Sequence, residues 1–246
     1  MFNYEKFIEV KKLTDSIGQI YGTEDFAVYL YSIVKMYKPS TVVEYGTGLG
    51  STALWIALAL EENKLGILHT IDDGSEWDDL KQAKDRFKPY FKERYEDYIL
   101  NLVNVFDFSK EIRFYNQKID YSSFDSIDIL FSDFQHSPLA VLRCIANNLH
   151  KMSENSFIFI DSASTYFPSF QLLNNLVSNL NQNSIPKTLL EIIDPSNLLK
   201  FQQKVFSSKF ELTHIIENKD RNQNSTAQIK ILPNDLMPQP RINIRF

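Results

Sequence analysis

Short apolar runs separated by stretches of helical length recur along this chain, and that alternation limits its folds more than any other feature. The runs lie at 40–45, 66–72 (GILHTID), 127–132 (IDILFS) and 157–160. Runs that stay apolar without alternating suit strands buried on both faces, and the stretches between them supply the covering helices. Between residues 98 and 117 two segments compete for a further strand, ILNLVNVF and IRFYNQ, and the strand is placed in the second. Segments 210–217 and 226–232 form an antiparallel hairpin across the polar loop NKDRNQNS. The expectation is an α/β chain: a Rossmann-like, seven-stranded, mostly parallel sheet with helices on both faces, closed by an antiparallel C-terminal hairpin.

The helical stretches carry their own punctuation. Residues 4–20 place apolar side chains at helical spacing. Thr23 can cap a second helix, with Phe26, Leu30, Ile33 and Val34 on one face and Pro39 closing it. Further helices are read at 51–62, 77–92 (charged and amphipathic), 138–150 (Pro138 in its first turn), 167–183 and 196–208. The domain reading is a helical cap over 1–38, the ligand-binding α/β domain over 39–236, and an extended tail over 237–246. The tail's INIRF could add to a sheet edge or to a partner. The N-terminal helices could cover a ligand's mouth or build a dimer contact.

Composition matters here for what it excludes. A formal charge of −5 argues against a sequence-independent grip on nucleic acid. Cys144 is the only cysteine, so no intramolecular disulfide and no cysteine zinc cluster can form. The first residues are charged throughout, unlike a secretory signal. The longest uninterrupted apolar run, residues 53–60, is less than half of what a bilayer needs. A cytoplasmic protein is expected, without nucleic acid or membrane partners, and a homodimer is a possible assembly.

Sheets of this kind bind ligands at the carboxyl ends of their strands, where the strand order reverses. The first such position holds Glu44-Tyr45-Gly46-Thr47-Gly48-Leu49-Gly50-Ser51. Glycines let a backbone turn tightly and let a ligand approach closely. The spacing is GxGxG, with Ser51 where the dinucleotide pattern wants its last glycine. Glu44 narrows the ligand further. A carboxylate would oppose a pyrophosphate and favour a ligand bearing an ammonium and a sulfonium, as S-adenosylmethionine does. Asp72 ends the second strand and can accept hydrogen bonds from ribose hydroxyls, and Asp73 follows it toward an adenine. Helix capping or plain exposure is the bland alternative for both.

The segment VVEYGTGLGSTALWIALAL followed by LHTID resembles the class I S-adenosylmethionine-dependent methyltransferases. With IDILFSDFQHSPLAVLRCI and FIFIDSAS it resembles their small O-methyltransferase branch, over roughly residues 20–165. The resemblance implies S-adenosylmethionine as cofactor, with Glu44, Gly46 and Gly48 around its methionine portion and Thr47 and Ser51 completing the loop. It implies Asp72 at the ribose, residues 117–120 near the adenine, and Asp133 near the reaction centre. In metal-dependent members of the branch, an acid pair placed like Asp133 and Asp161 holds a divalent cation such as magnesium. Here Ser162 stands where an Asn is common, so no metal is expected and Asp133 with Asp161 is the alternative site.

Methyl transfer to a hydroxyl needs alignment and a base for the proton. His136, just past the fourth strand in Asp133-Phe134-Gln135-His136, is the candidate base because its ordinary pKa is near neutral. A histidine there can equally cap the next helix. His69 is read as packed, His150 as a helix-end cation, and His214 as part of the hairpin. Tyr166 and Phe167 could line an acceptor pocket. The expected function is methylation of an oxygen on a small molecule or peptide. The alternatives are a methyltransferase-like domain that binds without catalysis, and a nicotinamide-dependent oxidoreductase on the same fold.

Overall fold

The computed structural model describes residues 2–17, 24–216 and 225–234. Two helices lead the chain, α1 (Tyr4–Ile17) and α2 (Glu24–Tyr37). In α1 the residues Val10, Leu13, Thr14 and Ile17 are buried, spacing that presents one helical face to the core. The expected cap at Thr23 and the tail from 237 lie outside the described residues. Three parallel strands follow, β1 (Thr41–Tyr45), β2 (Ile67–Asp72) and β3 (Ile112–Asn116), with α3 (Ser51–Asn63) between the first two. Next come β4 (Ile127–Ser132), α6 (Pro138–Asn148) and β5 (Met152–Asp161), preceded by α4 (Trp77–Leu80) and α5 (Tyr95–Val105) in the β2–β3 connection. The chain then forms α7 (Phe167–Asn181), α8 (Lys187–Leu190), α9 (Leu198–Ser207), β6 (Ser208–Ile216) and β7 (Ser225–Pro233).

The sheet has seven strands in the order β3-β2-β1-β4-β5-β7-β6. The first five run parallel, whereas β7 is antiparallel to both β5 and β6. The order reverses between β1 and β4, so a crevice opens above their carboxyl ends. Strand alternation sends Val42, Ile129, Phe131, Phe157 and Phe159 toward α1, α2, α3 and α5. It sends Val43, Tyr45, Leu130, Ile158 and Ile160 toward α6, α7, α8 and α9. Cys144 of α6 is fully buried on that second face, where burial pushes its thiol up to about 12. The N-cap Ser137 accepts from the Ala140 amide at 3.3 Å, and Pro138 occupies the first turn.

The 77–92 helix and the start of the fifth strand differ from expectation, while the third strand lies where it was placed. The single helix over 77–92 is instead the short α4 followed by a 3-10 turn, Lys81–Arg86. Pro89 has no amide hydrogen to continue a helix. Trp77 turns inward instead, stacking on Tyr98 at 4.9 Å and donating from its indole nitrogen to the Glu93 carbonyl. The run ILNLVNVF lies in α5, where Tyr95, Tyr98, Ile99, Leu102 and Val103 are buried at helical spacing, and the strand takes IRFYN. The fifth strand begins five residues earlier than its apolar run, at Met152. Among the described residues no helix is long and apolar enough to cross a membrane.

Gly66 joins α3 to β2 at φ +92°, and an added Cβ would fall inside 3.0 Å of the Pro39 carbonyl oxygen and of the Leu60 side chain. Gly66→Ala combines a left-handed backbone with a backbone clash and is expected to cost roughly 2–4 kcal/mol. Thermal unfolding should show a midpoint lowered by about 5–10 °C.

Candidate functional site

The crevice begins with a contact between backbones. The Asp133 amide donates to the Tyr45 carbonyl at 2.8 Å, extending the β1–β4 pairing one step beyond the strands. The Gly46 amide donates to the Ile71 carbonyl at 2.9 Å, doing the same toward β2. Gly46 sits at φ +92°, and a Cβ there would overlap the Asp133 carbonyl. Only a residue without a side chain lets the two strand ends meet. Gly48 and Gly50 also adopt positive φ, 53° and 80°, as the loop turns into α3.

Asp72 organises the loop from β2. One carboxylate oxygen accepts the amides of Thr47 (2.9 Å) and Gly48 (3.0 Å), and the other accepts Gly74 (2.8 Å). The residue expected at a ribose is thus also the group that holds the glycine loop. Asp73 is exposed, and the hydroxyl and amide of Ser75 at its carboxylate lower its pKa.

Glu44 does not face the crevice. Its strand register pairs it with Thr70, and it is fully buried on the α3 side of the sheet. Thr70 donates to Glu44 at 2.6 Å and in turn contacts the Thr47 hydroxyl at 2.5 Å. The second carboxyl oxygen of Glu44 is buried with no hydrogen-bond partner among the described residues. Burial pushes its pKa up to about 8, despite the opposing Thr70 bond and with help from Asp72. The negative charge expected to greet a cationic ligand is therefore held as a neutral acid near pH 7. Thr47 and Ser51 are likewise buried. Ser51 lies 3.1 Å from the Thr14 hydroxyl, which also accepts the Trp55 indole proton, tying α1 to the start of α3.

Above the crevice is a pocket of about 430 Å³. Gly46, Gly48, Asp72, Asp73 and Asp133 line it, whereas Glu44, Thr47 and Ser51 lie behind its wall. Of residues 117–120, Gln117, Lys118 and Ile119 line the pocket, whereas Asp120 caps a 3-10 turn. Trp77, Tyr95 and Tyr121 also reach the wall, although no sequence motif marks them. Their places follow from the aromatic packing of α4 with α5 and from the edge contact of Tyr121 with the buried Tyr45.

His136 and Asp161 flank the pocket beyond Asp133. The His136 Nδ1 lies 3.0 Å from the Asp161 carbonyl oxygen. That oxygen can only accept, so Nδ1 carries the proton and a neutral imidazole keeps its lone pair on Nε2. The Ser169 hydroxyl donates to the His136 carbonyl at 2.6 Å. The Asp161 carboxylate accepts from Ser162 at 2.8 Å and from Thr226 at 3.4 Å, and Ser162 holds a left-handed φ of 55°. Ligand atoms of Asp133, His136 and Asp161 lie within 4.8 Å of one another, a spacing that one cation could bridge. This set adds an imidazole to the acid pair expected from sequence.

The other histidines stand apart. His69 is half-buried and pairs with the Tyr115 hydroxyl at 2.9 Å. His150 is not the helix-end cation expected. Burial, with Lys151 and Lys200 nearby, brings its pKa down to about 4 and leaves it neutral. His214 contacts the Ser164 hydroxyl at 2.6 Å and lies against the ring of Phe170. Tyr166 and Phe167 are exposed beside this group.

The sequence model of the family described as "Methyltransferase domain" matches residues 43–163. This segment is similar to a methyltransferase domain. The match runs from within β1 to just past β5 and so contains every residue that lines the pocket. Solved structures share the fold over nearly the whole chain. The O-methyltransferase TomG from Streptomyces achromogenes, determined with SAM, is 11% identical at a TM-score of 0.53, over 94% of this chain and 91% of that one. A methyltransferase from Geobacter sulfurreducens is 14% identical at a TM-score of 0.53, over 94% and 91%. An O-methyltransferase from Bacillus cereus, determined with SAH, is 10% identical at a TM-score of 0.50, over 93% and 91%. No curated protein matches the chain by sequence.

The raised pKa of Glu44 carries a signed consequence. The folded chain keeps a proton that the unfolded chain has lost between about pH 4.5 and 8, so stability falls as pH rises through that window. Comparing Glu44→Gln with wild type, the wild-type melting temperature should drop by roughly 5 °C more between about pH 5 and about pH 8.5. Parallel curves would mean that Glu44 is ionised in the fold.

Proposed function

We propose that this chain is an S-adenosylmethionine-dependent methyltransferase that methylates an oxygen of a small molecule or peptide. The observation that carries the reading is the pocket at the β1–β4 reversal, where Gly46 and Gly48 bare the loop backbone beside Asp72 and Asp133 within the methyltransferase-domain match. A Cβ at Gly46 would collide with the Asp133 carbonyl, so glycine is what lets the loop close against the end of β4 beside the pocket. Acids at both ends of the loop make a poor seat for a pyrophosphate, which counts against a nicotinamide-dependent oxidoreductase.

Bound S-adenosylmethionine supplies a methyl group on a sulfonium that leaves as a neutral thioether. The chain's own contribution is placement and proton removal. Asp72 fixes the loop through three amides and retains about one lone-pair site for a ribose hydroxyl. The loop and Asp133 would bound the cofactor's methionine end. The Nε2 lone pair of His136 would take the proton from the acceptor's hydroxyl.

A second reading rests on the clustering of Asp133, His136 and Asp161. A divalent cation held there would occupy the same imidazole lone pair, so His136 can serve as base or as ligand but not as both. Activity that survives a chelator but falls about 100-fold or more in His136→Ala supports the base. Activity lost to the chelator and restored by magnesium or manganese supports the cation.

Calorimetric titration tests the reading as a whole. Wild type should bind S-adenosylmethionine and its demethylated product at micromolar concentration and NAD not at all. Asp72→Asn, which weakens three charge-assisted hydrogen bonds, should raise both dissociation constants at least tenfold. Absence of binding to either adenosyl compound would overturn the proposal, and binding without turnover on any hydroxylated acceptor would favour a non-catalytic domain.

A further inference from the structure

The glycine loop is held from one side by Asp72, which collects its amides. Its carbonyls are held from another element. Tyr95 and Tyr98 lie three residues apart on α5 and therefore on one face of that helix. The Tyr95 hydroxyl donates to the Gly48 carbonyl at 2.9 Å, and the Tyr98 hydroxyl donates to the Leu49 carbonyl at 3.0 Å. Both side chains are buried, at 6% and 0% exposure, so neither bond competes with water. The Tyr95 ring also lies beneath the turn that follows Asp72, since a Cβ on Gly74 would meet its Cδ1 at 2.5 Å. Trp77 and Phe114 pack against the same ring and hold it in place.

We infer that Tyr95 and Tyr98 are positioning residues that lock the glycine loop, carbonyl by carbonyl, in the conformation that receives the adenosyl cofactor. Four backbone groups on three consecutive residues of the cradle are then specified by two elements: amides 47 and 48 by Asp72, carbonyls 48 and 49 by α5. A loop with three glycines has many conformations to lose, and anchoring both kinds of backbone group beforehand removes that loss from the binding step. The two hydroxyls do nothing in methyl transfer itself. Their removal is expected to act on cofactor affinity and not on the chemical step.

This inference rests on the cofactor reading above, and its test separates the two. Tyr95→Phe and Tyr98→Phe keep the rings and delete only the hydroxyls. Each should raise the dissociation constants of S-adenosylmethionine and its demethylated product by about three- to tenfold, the effect of one neutral hydrogen bond. The double variant should lose more than either. At saturating cofactor, kcat and the acceptor KM should stay within about twofold of wild type. Amide exchange should quicken at residues 47–50 while the amides of β1 and β4 keep their protection. Leu100→Ala, on an exposed position of α5, is the control and should change neither quantity. Unchanged affinity in both tyrosine variants overturns the inference. So does a loss confined to kcat, or exchange that quickens throughout the domain. If wild type binds neither adenosyl compound, the cofactor reading falls, and the exchange at residues 47–50 alone then decides whether the tyrosines hold the loop.

Discussion

The approach of the Asp133 carbonyl to the α-carbon of Gly46 is the constraint from which the rest of the site follows. Two neighbouring parallel strands ordinarily separate at their carboxyl ends as the connections leave in opposite directions. Here each strand is extended by one more hydrogen bond, Asp133 to Tyr45 and Gly46 to Ile71, before it turns away. The crevice therefore has a backbone floor of fixed width. Everything that recognises a ligand stands on that floor: the loop on one side, the Asp133–His136 turn on the other, and the turn after Asp72 in front.

Charge around the floor is arranged in layers. The acids that reach the pocket wall, Asp72, Asp73, Glu76 and Asp133, remain near solvent or accept backbone amides. The acid that does not, Glu44, is sealed beneath the loop and spends neutral pH protonated. A strand reverses face at every residue, so Glu44 shares the α3 face with Val42 while Val43 and Tyr45 pack on the opposite face. Its contact with Thr70 and, through it, Thr47 connects the ionisation of a buried acid to the loop's own hydroxyl. The loop is coupled to α1 as well, through Thr14, Ser51 and Trp55.

Much of this architecture was legible in the sequence because the strands are short apolar runs and the helices between them bury residues at spacings of three and four. IDILFS and GILHTID could be little else. The glycine loop was legible because a strand ran into it and a helix ran out. The 77–92 region misleads for a physical reason. Its charges repeat like an amphipathic helix, yet Trp77 and Phe87 are worth more to the core as buried rings than as members of a helix that Pro89 would interrupt. The orientation of Glu44 was implicit in strand alternation but concealed by its chemistry, which suggests ligand contact. The tyrosines of α5 had no signal of their own, because their value depends on how a helix sits against a loop some 46 residues earlier in the chain (95 − 49). Local sequence does not encode that distance. His136 and Asp161 came together because β4 and β5 are adjacent and parallel, but the carbonyl that sets the imidazole's tautomer could be found only in three dimensions.

The burial of Cys144 has a practical side. Its thiol is wholly enclosed in α6 and held far from its thiolate form, so alkylating reagents have neither an approach nor a nucleophile. The chain is chemically silent toward maleimides as it stands. A cysteine introduced anywhere on the surface would be the one reactive position, and a fluorophore or spin label could be attached there without first stripping the protein of its own sulfur.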